Sequence, residues 1–332
     1  MIELRDYQLA SIDGLRQGIR EGRRAQVLCI PTGGGKTVVA SYLLREAHGK
    51  GTRAAMVVDR IALAQQTSRM LHRYEVPHGV AQGGNTFGRG ERIQVISAAT
   101  AERRGWMPDM GLLIVDEAHS CRKQTVEFIK ATTIPVIGLT ATPFAPSLGD
   151  IYQGVVNVTT TDALVEAGFL VPLKVYAAKA PDMTGAKKLG GEWTDTEAGE
   201  RGIQIVGDVV AEWVAKTREH FGGPVKTLVF SATVAHGDEL CRQFNQAGFR
   251  FEQISYQTPD GERQARMDEF AKPDSDIVGL VSCEALAKGY DQPDVLCGIG
   301  ARPYRKSLAA HIQQIGRVMR PSPAKQYSLW LD

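Results

Sequence analysis

A chain of 332 residues with 43% hydrophobic and 23% charged residues has the balance of an ordinary folded protein and enough length to bury its own core. Its 39 Lys and Arg face 37 Asp and Glu, so a net charge of +2 excludes attachment to nucleic acid by bulk charge and leaves only a local groove. Five cysteines without a CxxC pair exclude a zinc cluster or disulfide framework; with no apolar run near about 18 residues, the expectation is no membrane span and a reducing, cytoplasmic setting.

The amino terminus, Met1-Ile-Glu-Leu-Arg-Asp-Tyr-Gln8, carries acids and no apolar signal core. Short runs rich in Val, Ile, Leu and Ala then recur at 27–30, 54–58, 93–96, 112–115 and 136–139, separated by helical patterns such as 37–47 and 61–74. Cys29 and Cys297 sit in apolar runs and read as buried thiols. Buried strands alternating with helices predict a parallel sheet covered on both faces. A short helix over 161–169, stopped by Gly168 and followed by Pro172, places a domain boundary near 159. The alternation then restarts, with strands at 175–178, 227–230, 251–254, 277–281, 295–299 and 327–331 and helices such as 235–247 and 308–318. Residues 181–202 contain five glycines and little apolar periodicity, which predicts a flexible loop or insertion. The expected fold class is therefore α/β, with two tandem parallel-sheet domains at 1–159 and 160–332. The last strand leaves the chain at Asp332, so a minimal or trimmed chain is expected, with a protein partner at that end.

Two blocks carry chemistry. Pro31-Thr32-Gly33-Gly34-Gly35-Lys36-Thr37 follows a strand and opens a helix. Glycines let backbone N–H groups close around phosphates, and the helix amino terminus adds partial positive charge. Lys36 can reach the β and γ phosphates and Thr37 can ligate Mg²⁺, although Ile30 stands where the full GxxxxGK[ST] spacing has glycine. The bland reading is a glycine-rich turn before a lysine. Leu112-Leu-Ile-Val-Asp116-Glu117-Ala118-His119 places two acids at the carboxyl end of a strand, where open α/β sheets bind ligands. Asp116 can hold Mg²⁺ there, and Glu117 can orient and deprotonate a water.

Together these blocks resemble motifs I and II of superfamily-two helicases, and the remaining motifs follow in order. Arg5-Asp-Tyr-Gln8 resembles the adenine-reading element, the segment from Val58 through Arg60 to Gln66 motif Ia, and Ser97-Ala-Ala-Thr100 motif Ib. Gly138-Leu-Thr140-Ala-Thr142-Pro143 resembles motif III, and Val229-Phe-Ser231-Ala-Thr233 motif IV. Ser282 to Asp291 resembles motif V, and Gln313-Gln-Ile-Gly-Arg317-Val-Met-Arg320 matches Q-x-x-G-R-x-x-R of motif VI. The likeness is to the DEAH-box type and to the bacterial or phage RadD-like branch, near the XPB and restriction-type DEAD-like helicases.

The resemblance implies two RecA-like domains with an interdomain cleft, using ATP and Mg²⁺. It implies that Thr32, Gly33, Gly34, Gly35, Lys36 and Thr37 bind phosphate, and that Arg5 and Gln8 contact the adenine. Gly289 and Asp291 would contact the nucleotide from the second domain. Gln313 would face the γ-phosphate or the water, with Arg317 and Arg320 as arginine fingers. His119, Thr140 and Thr142 would couple the cleft to nucleic acid, whose phosphates backbone and hydroxyl groups around Arg60, Ser97, Thr100, Ser231 and Ser282 would contact. Motif V departs from the branch pattern, with Ala287 and Lys288 where threonines are common. Lys187, Lys188 and Trp193 in the insertion read either as a strand clamp or as a solvated loop, the latter favoured.

The expected function is an ATP-dependent helicase or translocase on nucleic acid, with single-stranded or forked DNA favoured over RNA. The same motor would serve a non-unwinding ATPase that remodels protein–nucleic-acid complexes or drives a larger assembly. A metabolic kinase leaves the second domain and the paired arginines unexplained.

Overall fold

The computed structural model describes residues 2–59, 61–83, 85–145, 147–177, 180–283, 292–304 and 307–332. Arg60, Gly289 and Asp291 therefore lie outside the described residues, as do Ala287 and Lys288. The chain forms two compact units, Met1–Leu164 and Val165–Asp332.

The first unit opens with α1 (Asp6–Arg20), β1 (Ala25–Cys29), α2 (Lys36–Gly49), β2 (Ala54–Val58) and α3 (Ile61–Arg73). There follow β3 (Gly79–Gln82), β4 (Asn85–Phe87), β5 (Ile93–Ser97), α4 (Ala98–Arg104) and β6 (Leu112–Val115). It ends with α5 (Lys123–Ala131), β7 (Val136–Thr140), α6 (Leu148–Ile151) and β8 (Gly154–Asn157), from which α7 (Thr161–Glu166) leads out. The strands order as β4-β3-β5-β2-β6-β7-β1-β8, and every pairing is parallel except β3 with β4. Every residue of β1, β2, β5 and β7 is buried, as a sheet covered on both faces requires. One core, including Leu28, Leu44 and Ile114, fills one face; another, including Val57, Leu113 and Ile129, fills the other.

The second unit contains β9 (Leu173–Tyr176), β10 (Lys188–Leu189), β11 (Glu192–Trp193), α8 (Asp195–Ile203), α9 (Val206–Phe221) and β12 (Thr227–Phe230). Then come α10 (Val234–Gln246), β13 (Phe251–Ile254), α11 (Asp260–Ala271), β14 (Gly279–Ser282), β15 (Cys297–Ile299), α12 (Leu308–Val318) and β16 (Ser328–Leu331). Six of these strands form an all-parallel sheet in the order β13-β14-β12-β15-β16-β9. Trp213 on α9 anchors one face, with Phe244, Phe249 and Phe251 edge-on to it at centroid distances of 5.0–5.4 Å. Its indole N–H donates to Thr227 Oγ1 at 2.8 Å, so the polar end of a fully buried ring is satisfied.

Of the loop or insertion expected over 181–202, the structure has an ordered insertion, with a hairpin and most of a helix. β10 and β11 pair Lys188 with Trp193 and Leu189 with Glu192. Gly190 and Gly191 turn between them at φ of 59° and 87°, the paired left-handed conformation a two-residue hairpin needs. Thr194 then caps α8 by accepting from the Glu197 amide. The glycines that suggest looseness in the sequence are packing positions here. A Cβ on Gly199 would meet Thr233, and one on Gly202 would meet the His236 ring.

Candidate nucleotide-binding site

The glycine-rich segment, the acidic pair and the Thr140–Thr142 segment follow β1, β6 and β7, which are neighbours in the order β6-β7-β1. Parallel strands deliver all three segments to one carboxyl edge of the sheet, where open α/β sheets hold ligands. Register fixes their spacing: Cys29 lies beside Thr140, and Val115 beside Gly138. The Ile30 amide donates to the Thr140 carbonyl at 3.1 Å, extending the ladder one residue past β1. Gly138 permits close packing, because a Cβ there would meet Ala118 at 2.7 Å and the Tyr152 ring at 2.7 Å.

The segment between β1 and α2 turns through the Gly34 amide, which donates to Pro31 O at 3.0 Å. Gly33 and Gly35 stand at φ of 85° and 84°, where a side chain is strained. Gly35 is the amino-terminal cap of α2 and offers no side chain of its own to the first turn, while its carbonyl accepts from the Val38 amide at 3.0 Å; the start of such a helix suits an anion. Lys36 bends back over the loop, its ammonium 3.3 Å from Ile30 O. That charge opposes the rise that burial imposes on the Cys29 thiol pKa. The Thr32 hydroxyl is buried without a hydrogen-bond partner.

Gln8 is buried at 3% exposure, and both ends of its amide are engaged. Its Oε1 accepts from the Arg5 amide at 3.0 Å, and its Nε2 donates to Gly34 O at 3.2 Å. The Tyr7 hydroxyl donates to the same carbonyl at 2.7 Å. The start of α1 thus grips the phosphate-loop backbone through Tyr7 and Gln8. Tyr7 was not singled out in the sequence; its adjacency to Gln8 was the available signal.

Asp116 Oδ1 accepts from the Glu117 amide at 3.1 Å. Glu117 sits in the left-handed region at φ 50°, ψ 52°, a conformation costing a non-glycine residue about 1–3 kcal/mol. Its Oε2 is buried without a hydrogen bond, although His119 Nδ1 lies 3.4 Å away. His119 Nδ1 is instead 2.9 Å from Thr140 Oγ1 and 3.5 Å from Thr142 Oγ1, and the Thr142 amide donates to Thr140 Oγ1 at 3.0 Å. His119, Thr140 and Thr142 form one polar cluster beside the Glu117 carboxylate. A strained, under-bonded carboxylate at a sheet edge suits a group that orients water.

In the second unit, Gln313 and Arg317 lie on α12 and Arg320 just beyond it; Gln313 is buried and both arginines are half-buried. The described residues expected to contact a strand through backbone and hydroxyl groups are buried. Ser97, Thr100, Ser231 and Ser282 are all at or below 4% exposure. Thr100 Oγ1 accepts from the Gly83 amide at 2.8 Å, and Ser231 Oγ donates to Thr233 O at 3.1 Å. The Thr100 and Ser231 hydroxyls thus engage nearby backbone. Trp193 has the Lys188 ammonium over its ring at 4.5 Å, while Trp106 is 44% exposed. None of the five cysteines is in a disulfide, and Cys29 and Cys297 are buried as expected. No helix among the described residues is long and apolar enough to cross a membrane.

Comparison with known proteins agrees with this geometry. Residues 1–145 match the family described as type III restriction enzyme, res subunit, and residues 212–322 match the helicase conserved C-terminal domain. A 51.5 kDa protein of a Lactococcus phage is 27% identical over 87% of this chain and 61% of its own length. The putative ATP-dependent helicase IRC3 of Saccharomyces cerevisiae is 26% identical over 99% of this chain and 51% of its own. The chain thus spans between a half and two thirds of these relatives. Among solved structures, a fragment of a putative HsdR subunit of a type I restriction enzyme from Vibrio vulnificus aligns with TM-score 0.74 at 19% identity, covering 98% of this chain and 63% of that one. The type ISP restriction-modification enzyme LlaBIII bound to DNA aligns with TM-score 0.72 at 16% identity, covering 99% of this chain and 27% of that one. These two show a shared fold of paired parallel-sheet domains of the RecA-like kind. With a restriction-enzyme res-subunit model matched over residues 1–145 and a helicase carboxyl-terminal model over 212–322, these likenesses together support a superfamily-two helicase core.

Proposed function

We propose that the chain is an ATP-driven motor on nucleic acid, a helicase or translocase with DNA as its track. One observation carries the reading: adjacent strands bring the phosphate loop and the strained Glu117 carboxylate to one edge beside the His119–Thr140–Thr142 cluster. In this reading Thr32, Gly33, Gly34, Gly35 and Lys36 cradle the phosphates of ATP, while Gln8 and Arg5 set the adenine end. Left-handed Gly33 and Gly35, with backbone amides at the helix start, fit a phosphate. Thr37 and Asp116 would hold Mg²⁺, which when bound neutralises charge on the β and γ phosphates. Glu117 orients the attacking water and takes its proton. The His119–Thr140–Thr142 cluster relays the state of Glu117 along the sheet edge. Gln313, Arg317 and Arg320 would supply the γ-phosphate contacts and positive charge that phosphoryl transfer needs, and Gly289 and Asp291 further nucleotide contacts. Strand contacts would come from Arg60 and from backbone around Ser97, Thr100, Ser231 and Ser282, a mode indifferent to base sequence.

DNA as the track is favoured by the likeness to restriction enzymes, one of them solved with DNA. The same likeness supports a second reading, a motor within a larger restriction-type assembly that moves without separating strands. The Asp116-Glu117-Ala118-His119 spelling supports a DEAH-box assignment, and we place the chain in the RadD-like branch. ATP turnover measured with single-stranded DNA, duplex DNA and RNA side by side tests the reading, with stimulation by DNA expected. Turnover that no nucleic acid alters would overturn it. Strand displacement on forked duplexes separates helicase from non-unwinding motor.

A further inference from the structure

The helix that carries Gln313 and Arg317 is held at both ends by charged residues that none of the helicase motifs includes. At its carboxyl end, Lys325 is buried at 7% exposure with its ammonium donating to three carbonyls. These are Val318 O at 2.6 Å, Val295 O at 2.5 Å and Pro293 O at 3.1 Å. Val318 ends α12, so this ammonium satisfies one of the carbonyls a helix end leaves open and lies at the negative pole of the helix dipole. Pro293 and Val295 lie in the chain leading into β15, downstream of the Ser282–Asp291 segment. One buried side-chain nitrogen therefore ties the exit of that segment to the end of α12. The Ser328 hydroxyl adds a second donor to Val318 O, at 2.5 Å.

At the amino end, Glu192 of the β10–β11 hairpin accepts from the Ser307 amide at 2.8 Å, and Ser307 is the cap residue of α12. This carboxylate lies at the positive pole. Next in the chain, Asp195 pairs with Arg302 at 2.6 Å, fastening the insertion to the segment that leads into α12.

Burying an ammonium is costly, and methionine would fill a similar volume without that cost. Three carbonyls converging on Nζ instead fix a point in space, as a directional anchor does. We infer that Lys325 and Glu192 are positioning residues, which hold α12 in the placement that lets Arg317 and Arg320 act on the phosphates. This inference rests on the arginine-finger reading above. The insertion thereby gains a role, with its hairpin as part of the mounting of the arginine helix.

The test compares nucleic-acid-stimulated ATP turnover in wild type, Lys325→Met, Lys325→Arg, Glu192→Gln and Arg317→Ala, with folding followed by circular dichroism. A misplaced arginine should lower kcat of Lys325→Met by about tenfold to a hundredfold, with KM for ATP within about twofold, because the phosphate loop is untouched. Lys325→Arg should restore part of the loss, which a loss of packing alone would not predict. Glu192→Gln should lower kcat several-fold with unchanged melting; it decides the matter if Lys325→Met does not fold. Wild-type kcat in a folded Lys325→Met, or in Glu192→Gln where Lys325→Met does not fold, alongside a disabled Arg317→Ala would overturn the positioning role. Full turnover in Arg317→Ala would overturn the arginine-finger reading itself.

Discussion

Glu117 combines a left-handed backbone, a buried carboxylate oxygen without a hydrogen bond and a neighbouring imidazole. Glu117→Gln keeps the shape and the neighbouring Asp116 but removes the base. Hydrolysis should fall by about 10²–10⁴, the range of a lost general base, while a fluorescent ATP analogue still binds. Normal turnover in this variant would place water activation elsewhere. Lys36→Ala should abolish hydrolysis and weaken nucleotide binding in a folded protein, since its ammonium is the cation within the loop. Gly35→Ala tests the loop from the backbone side. Its Cβ would meet Gln8 Nε2 at 2.5 Å and occupy a left-handed conformation that costs about 1–2 kcal/mol. Thermal unfolding should shift down and nucleotide affinity should drop. An unchanged pair of values would show that the turn relaxes.

The elements of the second unit carry a pH signature. Burial pulls the Lys325 pKa from its ordinary 10.5 to about 7, with Arg320 acting in the same direction and Asp294 opposing it. Asp294 is itself paired with Lys226 at 2.7 Å. Between about pH 7 and 10.5 the unfolded chain therefore binds more protons at this site than the folded one. Stability contributed here rises with pH across that window and is flat below it. The denaturation midpoint of wild type should gain on that of Lys325→Met between pH 7 and 9, and parallel curves would refute the assignment. His236 acts on the acid side: burial lowers its pKa from 6.5 to about 4, so stability is lost as pH falls through that interval. Around these groups the packing is conventional, and Trp213→Ala should cost about 3–5 kcal/mol for the cavity it leaves among three phenylalanines.

For the whole molecule, the decisive comparison is turnover with and without a strand. Lys36 and the acids at 116 and 117 belong to the first unit, whereas Arg317 and Arg320 belong to the second. If both units serve one reaction, a strand that binds the reactive arrangement more tightly should raise turnover. Arg317→Ala should lose that stimulation while retaining most ATP affinity. An unstimulated wild type, or a fully stimulated Arg317→Ala, would reduce the chain to a phosphate-loop ATPase.

Apolar runs alternating with helical patterns were enough to specify two α/β units. Strands 54–58 and 112–115 and helix 308–318 form over those residues, because period and composition act locally. The phosphate loop and acidic pair were legible for the same reason: their chemistry is written in contiguous residues. Less was legible where meaning depends on a distant partner. The edge strand β4 has only three residues, and β8, half-exposed along its length, lacks the apolar run that marks β6. Gly190 and Gly191 read as looseness until a partner strand made them a turn. That the hydroxyls of Thr100 and Ser231 bond to backbone within the fold has no sign in the sequence. Lys325 and Glu192 carry no motif at all. Their roles arise only because the fold brings carbonyls from three separate positions to one ammonium, and the amide of Ser307 to a carboxylate 115 residues away. Local pattern sets which elements form, and tertiary packing decides which side chains are free to act.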